Sequence, residues 1–276
     1  MEDEPNDVVT HPSDRESWMR LTGSLISVAE DFPWSVPDRD PRADWERMWW
    51  WWNVAFVRAA TRLLRAIVIL GNEGLYEESN LQLRSMLELV GNQGYMAQSP
   101  KARAAEFAAA DLKTRERILD SLSRLGFDPK ALQGVRDEIA QVRTDLNPLI
   151  EDVQDSDSIY PFGRKAKVRI ESAGMTWHYD GVYERTSDYV HMNARALGNY
   201  LKAEDETRPE TEEALQLGTV VLGCEFLIRT LYFADVALGQ CRRDFLDGYA
   251  LEYARLTLPD RDKHRVVQSL RPPPIA

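Results

Sequence analysis

The sequence predicts an all-α protein, a multi-helix bundle of about seven or eight helices with long antiparallel pairs. Apolar residues recur every three to four positions along most of the chain, which is the period of a half-buried helix. Breaks that contain proline or glycine separate these segments, and no alternating run of apolar and polar residues indicates a strand. The hydrophobic share of 43% and the charged share of 29% are close to globular averages, so we expect a packed core.

The N-terminal segment, residues 1–14, is acidic and has no apolar stretch, which predicts a flexible tail. Without an apolar stretch the segment is not expected to be a secretory signal. Ser13 and Glu16 have the spacing of a capping box, which favours a helix that begins there and runs to residue 31. Residues 32–41 contain three prolines and therefore form a connector.

Two long helices follow, over residues 42–70 and 75–98, and the glycine-containing break between them predicts an antiparallel helical hairpin. The first of these helices carries four consecutive tryptophans, Trp49 to Trp52. Because four adjacent residues point in all directions around a helix, at least one or two of the rings need a partner. That partner is either another helix or another subunit, and on this basis we predict a homodimer.

The same helix is apolar enough to be compared with a membrane span, but Arg58, Arg62 and Arg65 interrupt it. Their spacings of four and three place them on one side of the helix. Each arginine would be costly in hydrocarbon, so we predict a soluble helix with one cationic stripe and no membrane association.

The rest of the chain predicts further helices, separated by one long irregular stretch. The helices are expected at residues 101–125, 129–154, 181–203, 210–238 and 240–256. Residues 155–176 lack periodicity and predict the longest loop, which is either functional or a surface excursion. We expect a single helical domain over residues 15–258 and a Pro-rich C-terminal tail over residues 259–276.

Charge and cysteine content narrow the function classes. The net charge of −11 argues against broad DNA binding, and leaves room for RNA or a nucleotide at a local site. Cys224 and Cys241 have no CxxC pairing, which argues against a disulfide framework or a zinc site and favours a cytoplasmic location. The chain has no P-loop, dinucleotide, serine-hydrolase or zinc-protease motif, so we predict no cofactor and no metal.

Polar residues at helical spacing on two predicted helices form the first candidate site. Arg84 and Glu88 are four residues apart in an apolar stretch, so their face should be largely enclosed, and buried charges need partners. Tyr183, Ser187 and His191 likewise share one face of a helix. Together the five residues either bind a ligand or form a closed structural network.

A second candidate site overlaps the first, because Arg185 and His191 form an R-x5-H arrangement. Such a pair can cleave RNA without metal, with the imidazole as general base towards the ribose 2′-hydroxyl and the guanidinium stabilising charge on the phosphate. On a regular helix the two side chains are about 120° apart, so they converge only if the helix begins late or a second subunit contributes. Asp188 offers Arg185 an ordinary intrahelical ion pair instead.

The order of these motifs resembles a group of bacterial all-helical domains of unknown function, over about residues 50–240. The residues that carry the resemblance are Arg84 and Glu88 (R-x3-E), Phe107 and Asp111 (F-x3-D), Trp177, and Tyr183, Ser187 and His191 (Y-x3-S-x3-H). That group is distantly similar to the HEPN superfamily, helical bundles that often dimerise and whose active members use R-x4-6-H as a ribonuclease site in toxin and phage-defence systems. In this chain that site falls on Arg185 and His191. Thr186 follows the arginine where active members often have a polar amide or an acidic residue, and an inactive relative is the alternative.

Two functional hypotheses follow from the sequence. The first is a HEPN-like, metal-independent endoribonuclease or phage-defence effector with Arg185 and His191 as its catalytic pair. The second is a non-catalytic ligand-binding or scaffold module whose polar face holds a ligand or fixes the packing of helices. The polar residues of that face are Arg84, Glu88, Asp111, Tyr183 and Ser187.

Overall fold

A computed structural model of the protein confirms the all-α class, since every regular element in the part that it describes is helical. The described residues are 15–31, 34, 37–38, 44–151, 166–183, 186, 209–257 and 263–272. The helices are α1 (Arg15–Asp31), α2 (Asp44–Asn72), α3 (Tyr76–Ala97), α4 (Pro100–Arg124), α5 (Gln133–Glu151), α6 (Ala166–Ser172), α7 (Thr176–His178), α8 (Pro209–Leu238), α9 (Arg243–Thr257) and α10 (Lys263–Leu270). A π-helical turn, Tyr179–Tyr183, continues directly from α7.

Helix α8 forms the centre of the core, where it packs against α1, α2, α3 and α9. Its Phe226, Leu227 and Leu231 side chains are completely buried. The helix is also long and apolar enough to cross a membrane, but 89% of its most apolar window is buried inside the protein. A helix that is hydrophobic on all sides is expected at the centre of a large core.

The predicted hairpin of two long helices is present as α2 and α3, which pack against each other. The chain reverses direction at Gly74, whose φ of 75° lies in the left-handed region that favours glycine. The Leu75 amide donates a hydrogen bond to the Leu70 carbonyl at 2.8 Å and closes the end of α2. The break between the two helices therefore follows from local chemistry.

The tryptophan block at the start of α2 finds most of its partners inside the chain. Trp49 and Trp50 are buried in the main core, with 4% and 1% of their surface exposed. Trp52 packs edge to face on Phe107 of α4, with ring centroids 5.1 Å apart. Trp51 remains 57% exposed.

Two short helices correct the sequence predictions of irregular structure. The predicted loop over residues 155–176 contains α6, and the predicted tail over residues 259–276 contains α10. Each helix has only seven or eight residues, too few for periodicity to identify. Ile170 of α6 is buried in the core, as are Val267 and Leu270 of α10, so tertiary packing stabilises both.

Some of the predicted segments cannot be compared with the structure. The N-terminal tail, residues 1–14, lies outside the described residues, as does most of the helix predicted over residues 181–203. The described start of that segment is the π-helical turn Tyr179–Tyr183.

Candidate functional site

An open cleft of about 840 Å³ lies between α2, α3 and α4. This volume is within the range of small-molecule sites. Trp52 and Phe56 of α2 form its aromatic wall with Phe107 of α4, whose ring centroid is 5.1 Å from that of Trp52 and 6.1 Å from that of Phe56. The polar lining residues are Arg84, Ser85, Glu88 and Asn92, which all belong to α3.

Helix α3 presents these polar groups to the cleft because Arg84, Glu88 and Asn92 recur every four residues and so share a face. The other side of the helix consists of large apolar residues that are buried in the core. These residues are Leu83, Met86, Leu87 and Val90. The sequence of α3 thus orients a polar face towards the cleft by anchoring an apolar one.

Arg84 is held in place by two neighbours. Its Nε donates to Glu88 Oε1 at 3.2 Å, and its Nη2 donates to the Tyr183 hydroxyl at 2.8 Å. Its guanidinium carbon also lies 4.2 Å from the centroid of the Tyr183 ring, a cation–π distance. The Arg84 side chain is 13% exposed and that of Glu88 is 36% exposed. Arg84 therefore fixes the geometry, while Glu88 keeps carboxylate surface open to the cleft.

A second arginine approaches the same face of α3 from α6. A Cβ at Gly91 would stand 2.7 Å from Ile170 Cγ1 and 3.2 Å from Ile170 Cα, so only glycine permits this approach of the two backbones. The close crossing brings Arg169 to α3, where its Nε donates to Oδ1 of Asn92. Burial lowers the pKa of Arg169, and the nearby Glu88 carboxylate offsets part of this effect. The guanidinium remains charged.

The π-helical turn that carries Tyr183 is fixed at its start by His178. The His178 ring is fully buried, and its Nε2 lies 2.9 Å from Oε1 of Glu225 on α8. Trp177 stacks on His178 with ring centroids 3.6 Å apart, and Tyr179 stacks on Tyr183 at 4.9 Å. The position of Tyr183 beside Arg84 thus depends on a buried contact five residues earlier in the chain.

Glu225 is the centre of a buried network that joins four elements. Arg229 donates to its Oε1 from Nε at 2.9 Å, and the Tyr253 hydroxyl donates to its Oε2 at 3.1 Å. Burial alone would raise the pKa of Glu225, but His178 and Arg229 outweigh it and hold the pKa well below its usual range. Arg229 also donates to the Ser269 carbonyl of α10 at 2.8 Å. These contacts connect α7, α8, α9 and α10.

Residues 52–208 match the model of a family of unknown function, DUF5677. The chain belongs to the DUF5677 family. No curated protein and no solved structure is significantly similar to it. The DUF5677 region contains every lining residue of the cleft, from Trp52 to Phe107, and also Tyr183, whereas Glu225 lies outside it.

Within the DUF5677 region, the structure brings three of the predicted site residues together: Arg84, Glu88 and Tyr183. Asp111 does not join them, because it is exposed on α4 and pairs with Arg115 at 2.8 Å. Its motif partner Phe107 lies in the cleft wall instead. The predicted residues that lie outside the described part of the chain are Arg185, Ser187 and His191.

Sequence reasoning missed Asn92 and Glu225, and it did not place the basic residue Arg169 beside α3. Gly91 was a usable signal for a crossing beside Asn92, because a glycine within a helix commonly marks the close approach of another backbone. Glu225 stands in the longest apolar run of the chain. A lone carboxylate in such a run indicates a buried charge with specific partners.

The donor set of the cleft suits an organic ligand better than a metal ion. Its polar atoms come from one guanidinium, one hydroxyl, one carboxylate and one amide, whereas hard cations take six or more oxygen ligands. Across the described residues, no group of three or more His, Cys, Asp or Glu side chains is placed to hold a metal ion.

Proposed function

We propose that this protein is a ligand-binding module and that the cleft holds a planar heteroaromatic ring of the nucleobase type. One observation carries the proposal. The partly exposed carboxylate of Glu88 borders a cleft that Trp52, Phe56 and Phe107 line with aromatic surface. Apolar walls with a few fixed polar groups are the usual composition of a small-molecule site.

The chemistry of the lining fits such a ring on both its face and its edge. Stacking on aromatic side chains contributes about 1–3 kcal/mol per base, whichever base is bound. A carboxylate accepts hydrogen bonds from exocyclic amino groups, which gives Glu88 the role of reading the ring edge. Arg84 already binds Glu88 and Tyr183, so the carboxylate is oriented before any ligand arrives.

Calorimetric titration of the full chain with adenosine, cytidine, guanosine and uridine tests this proposal. Ala59 lines the cleft, so Ala59→Trp should fill it and weaken binding at least tenfold. Ala140→Trp, on the exposed face of α5, is the matched control and should bind as the wild type does. If no nucleoside binds, or if Ala59→Trp binds as well as the control, the proposal is wrong.

A second substitution examines the role assigned to the carboxylate. Glu88→Gln should weaken the binding of cytidine and adenosine, which carry exocyclic amines, more than the binding of uridine, which has none. Glu138→Gln removes an exposed carboxylate that pairs with Arg115, and it should leave all four affinities unchanged. An equal loss of affinity for all four nucleosides would contradict the role of Glu88 as a hydrogen-bond acceptor for the ring edge.

The second candidate function is metal-independent cleavage of RNA by Arg185 and His191. It is favoured by one observation: the R-x5-H motif begins two residues after Tyr183, whose hydroxyl bonds Arg84 at the cleft. His191 would take the proton of the ribose 2′-hydroxyl, the 2′-oxygen would attack phosphorus, and the 5′-oxygen would leave and take up a proton from water. Arg185 would stabilise the charge on the phosphate. The products are a 2′,3′-cyclic phosphate and a 5′-hydroxyl end.

Under this second proposal the protein is a bacterial relative of the HEPN superfamily and works as a cytoplasmic homodimer in toxin or phage-defence systems. The motif resemblance supports the relationship, the exposed Trp51 supports an interface, and the two free cysteines suit a reducing compartment. Incubation of the purified chain with labelled RNA in EDTA tests the activity. His191→Ala should abolish cleavage and His264→Ala should not. No cleavage of varied RNAs by the wild type, or full activity of His191→Ala, would refute it.

A further inference from the structure

The outer face of α2 carries several arginines and no acidic residue of its own. We call it the outer stripe: its exposed residues are Arg47, Trp51, Arg58, Arg62, Arg65 and Ile69. After Glu46, which is buried, α2 contains no acidic residue. The chain as a whole has a net charge of −11, so a helix face with four arginines is a marked local exception.

Two arginines of the outer stripe are available to a partner. Arg65 pairs with Glu30 of α1 at 2.7 Å, but within the described part of the chain Arg58 and Arg62 make no ion pair. They stand one helical turn apart, with a rise of about 6 Å between them. The outer stripe therefore presents two adjacent guanidiniums that no residue described by the structure neutralises.

The outer stripe borders the cleft. Ala55 and Ala59 of α2 line the cleft, and each precedes one of the two arginines by three residues. Residues at that spacing are neighbours on a helix surface, with Cβ atoms about 5–6 Å apart. Arg58 and Arg62 consequently stand at the mouth of the cleft, and exposed Trp51 stands one turn before Ala55.

We propose that the outer stripe is a binding track for the backbone of single-stranded nucleic acid, with Arg58 and Arg62 on successive phosphates. Trp51 stacks on one base, and a neighbouring base enters the cleft. The entry of a base rests on the proposed function, whereas the phosphate contacts rest on the charge of α2 alone. Combining a cationic groove with aromatic stacking surfaces is how proteins hold single strands without sequence preference.

The arrangement of the stripe favours this ligand over other polyanions. A duplex keeps its bases stacked inside and offers none to Trp51 or to the cleft. An anionic membrane calls for a continuous apolar face, but Trp51 and Ile69 lie far apart on the stripe with arginines between them. An acidic protein segment would use the arginines and leave the aromatic surface of the cleft without a role.

Fluorescence anisotropy with labelled 12-residue oligo(U) and oligo(dT) tests the track. The double substitution Arg58→Gln and Arg62→Gln should lower affinity on the order of 10-fold at 0.1 M salt, and reduce the slope of log K against log salt by about 1.4. Arg117→Gln with Arg124→Gln is the matched control. It removes two exposed charges from α4 and should change neither quantity.

Three results would overturn the track. They are equal oligonucleotide binding by the two double variants, equally tight binding of a blunt duplex, and equally tight binding of poly-glutamate. Nucleoside titration separates this failure from failure of the proposed function. If nucleosides bind and the stripe variants leave oligonucleotide binding unchanged, the cleft proposal stands and the track is wrong. If the stripe variants weaken oligonucleotide binding but no nucleoside binds, the phosphate contacts of the track stand and the entry of a base into the cleft is wrong.

Discussion

Glu225 offers the sharpest test of how the core supports the cleft. Replacing it with glutamine keeps the shape and one carbonyl oxygen but removes the negative charge. Arg229, which is 7% exposed, would then have only uncharged acceptors among its described partners, namely the new amide oxygen and the Ser269 carbonyl. His178 would lose its charged partner as well.

The expected loss in the free energy of unfolding is the cost of leaving a buried charge without its counterion. Removing one partner of a buried ion pair costs about 3–5 kcal/mol, and glutamine still accepts hydrogen bonds, so we expect about 3 kcal/mol. In a chain of this size that corresponds to a fall in melting temperature of roughly 6–12 °C.

The pH dependence has a definite sign. The pKa of Glu225 is lower in the folded chain than in the unfolded chain. Its contribution is therefore fully present above the unfolded pKa of about 4.3 and is lost as the pH falls below it. The difference in stability between the wild type and Glu225→Gln should accordingly shrink on acidification below pH 4.3.

Urea denaturation followed by circular dichroism, at several pH values, measures both effects. Glu138→Gln is the control, since its exposed pair with Arg115 should contribute at most about 1 kcal/mol. A loss for Glu225→Gln as small as that of the control would refute the reasoning. So would a difference between wild type and variant that does not change with pH.

Three further predictions concern other parts of the fold. Gly91→Val should force apart α3 and α6 at Ile170 and lower stability by about 1–3 kcal/mol, which denaturant unfolding would show. In the native protein a thiol reagent should modify exposed Cys241 and spare Cys224, since burial raises the pKa of Cys224 to about 12. Equal rates for the two thiols would contradict this. Truncation after residue 262 removes α10 and should lower the melting temperature, whereas removal of a mere tail would leave it unchanged.

The long helices could be predicted from the sequence because their signals are local. The hairpin of α2 and α3 has strong apolar periodicity on both sides of a break at Gly74, and its predicted ends lie within two residues of the observed ones. Helices α6 and α10 could not be found in the same way. Each depends on a few buried side chains, such as Ile170 and Val267, and those contacts are set by distant parts of the chain.

The candidate site shows the same difference between local signals and tertiary contacts. Arg84 and Glu88 could be placed on one face because a spacing of four fixes their relationship within a helix. Arg169 could not be placed, since its approach to α3 depends on a tertiary crossing at Gly91. The aromatic wall was also hidden, because Phe107 reaches the cleft only through the packing of α4 against α2.

The cleft and the buried network are physically connected, and the connection crosses the boundary of the family match. Tyr183 contacts Arg84 from the end of a π-helical turn whose start is held by His178 against Glu225. Glu225 lies on α8, beyond residue 208, where the match ends. A region defined by sequence similarity therefore lacks one of the contacts that set its own cleft geometry. For this reason the full chain, rather than residues 52–208 alone, is the unit in which ligand binding should be measured.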